Sequence, residues 1–118
     1  MNQSKRVLLV DDQPSTIKGL KAILAFYPEI LVVGEAVNGQ AAVAQIAEQQ
    51  PDVVIMDLRM PVMDGIEATR RIKEQWPAIK VIVLTVQATR RAEALMAGAD
   101  HFLLKGNGPE TLRRAILS

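Results

Sequence analysis

Four places in the chain put a side chain able to do chemistry directly after a short apolar run. Asp11 and Asp12 follow Val7 to Val10, Asp57 follows Val53 to Met56, Thr85 follows Val81 to Leu84, and Lys105 follows Phe102 to Leu104. Three carboxylates brought together repel one another, each pair by about 1 kcal/mol in water and about 4 kcal/mol at an effective dielectric near 20 and a 4 Å separation. Something cationic must offset that. Lys105 can neutralise one charge, and the remaining oxygen-rich cluster suits a hard divalent ion such as Mg2+, which takes one or two carboxylates and several waters. A carboxylate beside such an ion, a lysine and a hydroxyl can accept a phosphoryl group: the acid attacks while the cations and donors hold the equatorial oxygens. Asp57 is the best nucleophile candidate, because it ends a central apolar run and precedes Leu58-Arg59-Met60-Pro61, a loop able to present a backbone carbonyl. Asp11 and Asp12 are then the metal carriers.

For those residues to meet, the elements carrying them must end at one place. The runs Val7 to Val10, Ile30 to Val33, Val53 to Met56, Val81 to Leu84 and Phe102 to Leu104 are too short for buried helices and mostly rich in β-branched residues, so each is expected to be a strand covered on both faces. Helical spacing fills the gaps. Ile17, Leu20, Leu24 and Tyr27 form one apolar face ending at Pro28; Asn38-Gly39 opens a second segment carrying Val43, Ile46 and Ala47 and stopping before Pro51. A third carries Ile66, Thr69, Ile72 and Trp76, with Asp64 as its cap. The fourth, Ala88 to Ala97, has Leu95 and Met96 as apolar positions and Gly98 after it, and the fifth runs from Pro109 to Leu117 with Leu112 and Ile116 apolar. Five alternations of strand and helix predict one α/β domain: a mostly parallel sheet with helices on both faces, joined by right-handed crossovers. In such a sheet ligands bind beyond the carboxyl ends of the strands. The second run offers only Glu35 there.

Composition narrows the function classes. A chain of 118 residues, 49% hydrophobic and 23% charged, can bury a core without disulfides or metals. It has no cysteine, which excludes a disulfide framework, thiolate zinc sites and a cysteine nucleophile, and fits the cytoplasm. Fourteen basic against thirteen acidic residues give a net charge of +1, so direct nucleic-acid binding is not expected. After the polar Met1 to Arg6 opening, the first apolar run is too short for a signal peptide, and no run is long enough to span a membrane. Its one histidine, His101, is expected to be structural or exposed. The pairs Arg70-Arg71, Arg90-Arg91 and Arg113-Arg114 are expected to be solvated helix faces.

In order along the chain, Val7-Leu-Leu-Val-Asp-Asp12, Asp57-Leu-Arg-Met-Pro-Val-Met-Asp-Gly65, Val83-Leu-Thr85 and Gly98-Ala-Asp-His-Phe-Leu-Leu-Lys105 resemble the receiver domain of bacterial two-component response regulators. The resemblance covers essentially the whole chain, 1–118. It implies a flavodoxin-like (βα)5 three-layer sandwich with sheet order 2-1-3-4-5. It implies that Asp57 is the phosphoacceptor, that Asp12, Asp57 and the Arg59 carbonyl ligate Mg2+ directly, and that Asp11 acts through water. Thr85 would donate its hydroxyl to a phosphoryl oxygen and Lys105 would pair with another. In the family the threonine's shift toward the phosphate lets an aromatic on the fifth strand turn inward; Thr85 and Phe102 stand at those two switch positions, and the surface that changes would run from about Ala88 to Leu117.

Two departures stand out. Gly106 replaces the proline that usually follows the lysine, and Thr85 to Lys105 is about two residues shorter than in the family, which trims the fourth helix or the loop before it. Gly106, Val33-Gly34-Glu35-Ala36-Val37-Asn38-Gly39 and Leu58-Arg59-Met60-Pro61 look most like receivers of the NarL/LuxR subgroup. That subgroup implies a sensor histidine kinase as donor, a C-terminal helix-turn-helix output domain if the chain is part of a longer regulator, and a homodimer formed on phosphorylation. The alternatives are a stand-alone receiver acting by protein contact and a Mg2+-dependent aspartyl phosphatase, which would want an acid where Arg59 stands. A flavin binder is disfavoured because Asp11-Asp12 would repel its phosphate.

Overall fold

The computed structural model describes residues 4–118; the first three residues of the polar opening lie outside them. Its strands are β1 (Lys5–Val10), β2 (Ile30–Ala36), β3 (Val53–Met56), β4 (Lys80–Thr85) and β5 (His101–Leu104). The helices are α1 (Pro14–Leu24), α2 (Gly39–Gln49), α3 (Gly65–Gln75), α4 (Arg91–Met96), entered through a 3-10 turn at Ala88–Arg90, and α5 (Pro109–Leu117). All strand pairs are parallel, in the order β2-β1-β3-β4-β5. This is the flavodoxin-like order that the family resemblance implies.

Alternate strand residues feed two separate cores, which explains why the runs are apolar without interruption. Leu8, Val10, Val54, Met56, Val81 and Val83 pack with Ala42 and Ile46 of α2, Ile66, Ala68 and Ile72 of α3 and Ala94 of α4. Val7, Leu9, Val53, Ile55 and Ile82 face the other way, against Ile17 and Leu24 of α1 and Leu112, Ala115 and Ile116 of α5. Full burial of an isoleucine such as Ile46 or Ile72 stabilises the fold by about 1.5–3 kcal/mol.

Several expectations are corrected. Only β1, β3 and β4 are buried on both faces through their apolar runs; β2 and β5 form the sheet edges and are partly open, with Leu31 exposed. On α2 the buried positions are Gly39, Ala42 and Ile46, and Ala47 faces solvent. Helix α4 is a single short element that buries Ala94, leaving Leu95 and Met96 exposed, because a turn and a half of helix can seat only one small side chain against the sheet. Gly98 ends it at φ +109°, a conformation a side chain would strain. Asn38 and Asp64 cap α2 and α3 as expected, accepting from the backbone N–H of Ala41 and Glu67. Among the described residues no helix is long and apolar enough to cross a membrane.

Candidate functional site

Strand register decides which side chains meet. Val10 pairs with Met56 and Thr85 with Leu104, so the next residues leave the sheet at its carboxyl edge together. The ladder runs one step further at each: the backbone N–H groups of Asp11, Asp57 and Lys105 donate to the carbonyls of Ala36, Val10 and Thr85, each at 3.0 Å. Residues 94 positions apart thereby come into contact. The Lys105 Nζ donates to Asp11 Oδ2 at 2.8 Å and to Asp57 Oδ2 at 3.5 Å.

Asp11 and Asp57 are buried, at 3% and 8% exposure, whereas Asp12 is open to solvent. One carboxylate oxygen from each of the three lies within 4.8 Å of the others, a set that could hold a metal ion. Two of these groups are locked by the backbone. Asp11 Oδ1 accepts from the Gln13 N–H at 2.9 Å, and Asp57 Oδ1 accepts from its neighbour Leu58 N–H at 2.8 Å. In both cases the other oxygen, Oδ2, points to Lys105.

The charges do not balance locally. Burial, then the negative charge of Asp11, push the Asp57 carboxyl above the usual aspartate value, against the opposing pull of Lys105 and the Leu58 N–H. Lys105 is held above the usual lysine value: burial works against its charge, but the hydrogen bond to Asp11 and the charges of Asp57 and Asp11 outweigh it. The lysine sits closer to Asp11, which leaves Asp57 the less compensated of the two. A cation arriving at the cluster would relieve that excess.

Asp12, Gln13, Thr16, Asp57, Arg59, Thr85, Val86 and Lys105 line one cleft, so every residue expected to hold the phosphoryl group or the metal opens on it except Asp11, which touches it through Lys105. The Thr85 hydroxyl, on a fully buried residue, accepts from the Gln87 N–H at 3.2 Å, leaving its own proton free to donate. Phe102 lies off the cleft, half-buried on β5, with the Arg91 guanidinium 5.9 Å from its ring centroid. Arg90 lies in an adjoining cleft with Asp12, Arg59 and Asp64, so the Arg90-Arg91 pair is not simply a solvated face. The Ser118 hydroxyl lies 3.4 Å from the His101 ring Nε2.

Two supporting residues escaped the sequence reading. Asn107 binds Leu104 in both directions: its Oδ1 accepts from the Leu104 N–H at 2.8 Å and its N–H donates to the Leu104 carbonyl at 3.0 Å. That closes the loop after Lys105 which Gly106 leaves unconstrained. Gly65 is pressed on the site loop, where a Cβ would stand 2.0 Å from the Asp57 carbonyl oxygen and 2.8 Å from Leu58 Cα. The Asp64-Gly65 dipeptide was the available signal, and its helix-cap reading hid the close approach.

A family model described as the response regulator receiver domain matches residues 7–117. The transcriptional regulatory protein LnrK of Bacillus subtilis is 37% identical over 115 residues, 96% of this chain and 52% of that protein. The chain spans about half the length of the curated relatives it matches. Among solved structures, a two-component response regulator of the LuxR family from Aurantimonas superposes with a TM-score of 0.91 at 33% identity, over 98% of this chain and 84% of that one. The CheX-CheY-BeF3-Mg+2 complex from Borrelia burgdorferi gives a TM-score of 0.88 at 26% identity, over 98% and 88% of the two chains.

Proposed function

The chain belongs to the response regulator receiver domain family, and from that premise we propose that Asp57 takes a phosphoryl group from a phosphohistidine of a sensor kinase. The observation that carries this is the shared lysine: a buried Asp57 with one oxygen tied to the Leu58 N–H and the other facing Lys105 and the open cleft. An Asp57 carboxylate oxygen attacks phosphorus, the P–N bond to the histidine breaks, and the imidazole leaves with the bond's electron pair. An aspartyl phosphate results.

The chain's own groups fit the developing charge. Lys105 sits between Asp11 and Asp57 and can pair with one phosphoryl oxygen; Thr85 keeps a free O–H for another. Asp12, Asp57 and the backbone carbonyl of Arg59 would hold Mg2+, with Asp11 acting through water, and an all-oxygen donor set with an exposed member suits that ion. When bound, Mg2+ supplies charge neutralisation of the phosphoryl oxygens.

Receiver domains are generally not enzymes, and we assign this one a single phosphoryl group per chain rather than turnover. Response regulators of this kind pair with histidine kinases and with LuxR-type DNA-binding domains. The kinase, a helix-turn-helix output domain carried elsewhere in the regulator, a homodimer formed on phosphorylation and a cytoplasmic setting are parts of the same proposal, as is the role of Phe102 as the ring that reports Asp57's state to the α4-β5-α5 face. The test is labelling with a small phosphodonor and Mg2+: the native chain takes up one acid-stable, base-labile phosphate and Asp57→Asn takes up none. Label retained by Asp57→Asn would refute the assignment.

A further inference from the structure

The 3-10 turn at Ala88–Arg90 and the first residue of α4 place two arginines side by side with different tasks. Arg90 turns toward the site: it lines a cleft with Asp12, Arg59 and Asp64, two of which also line the phosphoacceptor cleft. Its side chain is only 25% exposed, and its guanidinium donates to Glu93 through Nε and Nη2, both at 3.2 Å. Glu93 is itself 59% exposed and sits three residues along the same short segment, so this pair is weak and readily exchanged. Arg91 turns the other way, its guanidinium 5.9 Å from the centroid of the Phe102 ring, within reach of a cation–π contact.

We propose that Arg91 is the positioning residue that holds Phe102 in its half-buried place against the core, and that Arg90 is the charge through which a phosphoryl group on Asp57 loosens that hold. The inference rests on the reading of Asp57 as phosphoacceptor and Phe102 as the reporting ring, and adds the residues that connect them. Phosphorylation adds negative charge beside Asp12 and Arg59, which line both the phosphoacceptor cleft and the adjoining cleft that Arg90 lines. Arg90 is drawn from Glu93 toward that charge, and because Arg91 is its chain neighbour in the same turn, the guanidinium over Phe102 is displaced with it. Two arrangements of one short segment are thereby biased by one site. An exposed cation–π contact biases the populations of two ring placements by about two- to fivefold.

The chain contains two phenylalanines, Phe26 and Phe102, so 4-fluorophenylalanine labelling yields two fluorine signals, with Phe26 at 85% exposure as the internal reference. Beryllofluoride with Mg2+ is the activating probe, and its own bound fluorine signals report occupancy of the site separately. Arg91→Gln moves the Phe102 signal of the free chain toward its activated position, by a two- to fivefold change in population ratio; Arg91→Lys restores most of the native position. Arg114→Gln, which removes the same charge from a side chain 79% exposed, leaves the Phe102 signal in place. Arg90→Gln still binds beryllofluoride but shows a smaller displacement of the Phe102 signal. An unmoved Phe102 signal in Arg91→Gln, or a full displacement in Arg90→Gln, overturns the inference. Absence of bound beryllofluoride in the native chain refutes the phosphoacceptor reading and the inference with it, whereas bound beryllofluoride with a motionless Phe102 signal refutes the inference alone.

Discussion

Replacing Asp57 by asparagine should make the metal-free fold more stable. Its carboxylate lies within 4.8 Å of oxygens of Asp11 and Asp12 and 3.5 Å from the Lys105 Nζ. At an effective dielectric near 20 the repulsion from buried Asp11 is about 3.5 kcal/mol and the attraction to Lys105 about 4.7 kcal/mol; exposed Asp12, screened by water, adds about 1 kcal/mol of repulsion. These nearly cancel. What remains is the desolvation of a carboxylate that is 8% exposed, only partly offset by the Leu58 N–H, and the net cost is on the order of 1–2 kcal/mol. Asparagine keeps an acceptor for that N–H and loses the charge. In EDTA at pH 8 the variant should melt about 3–10 °C above the native chain.

The pH dependence has a defined sign. An acid whose folded pKa is raised binds more protons folded than unfolded, so native stability falls as pH rises from the ordinary value of 3.8 through the raised folded value. The advantage of Asp57→Asn is therefore absent below pH 3.8 and complete above the folded value. Mg2+ should reverse the ranking once it stands at about a hundred times its Kd, where a ligand adds about 2.7 kcal/mol to the native chain, while the variant, one carboxylate short, gains far less. Melting at or below the native temperature in EDTA, or an advantage unchanged between low pH and pH 8, would refute this electrostatic account.

Other substitutions separate charge, packing and capping. Lys105→Met leaves buried Asp11 and Asp57 without their cation and should cost about 1–3 kcal/mol in urea denaturation at neutral pH, discounted because the lysine is 22% exposed; the loss should shrink with Mg2+. Gly65→Ala forces a Cβ against backbone at 2.0 Å and should cost about 3 kcal/mol and lower phosphate uptake, whereas Gly106→Ala, with nothing within 4 Å, should stay within about 0.5 kcal/mol of native in the same melts. Asp64→Ala removes the acceptor for the Glu67 N–H and should cost about 1 kcal/mol in thermal melts.

Residue type and order along the chain specify most of the elements and the chemistry waiting at their ends. Burial on two faces demands uninterrupted apolar runs, so β1, β3 and β4 were legible in residue type alone, and the acids, threonine and lysine that follow such runs announce a polar edge. Caps such as Asn38 and Asp64 are equally local, because a side chain accepting from an N–H three residues on needs no distant partner. The resemblance in motif order supplied the roles and the strand order that periodicity leaves open.

How those groups pair follows from the packing of the whole fold. That Lys105 sits 2.8 Å from Asp11 and 3.5 Å from Asp57 depends on β1 lying between β2 and β3 and on the register of Thr85 with Leu104. Which runs become half-open edges depends on the same order. The close approach of Gly65 to Asp57, the tie of Asn107 to Leu104 and the divergence of Arg90 and Arg91 each join parts of the chain through space or through loop geometry, and residue type carries no distance. Local pattern encodes what a segment must bury. Pairwise electrostatics, which fall with separation and burial, exist only once the segments are placed.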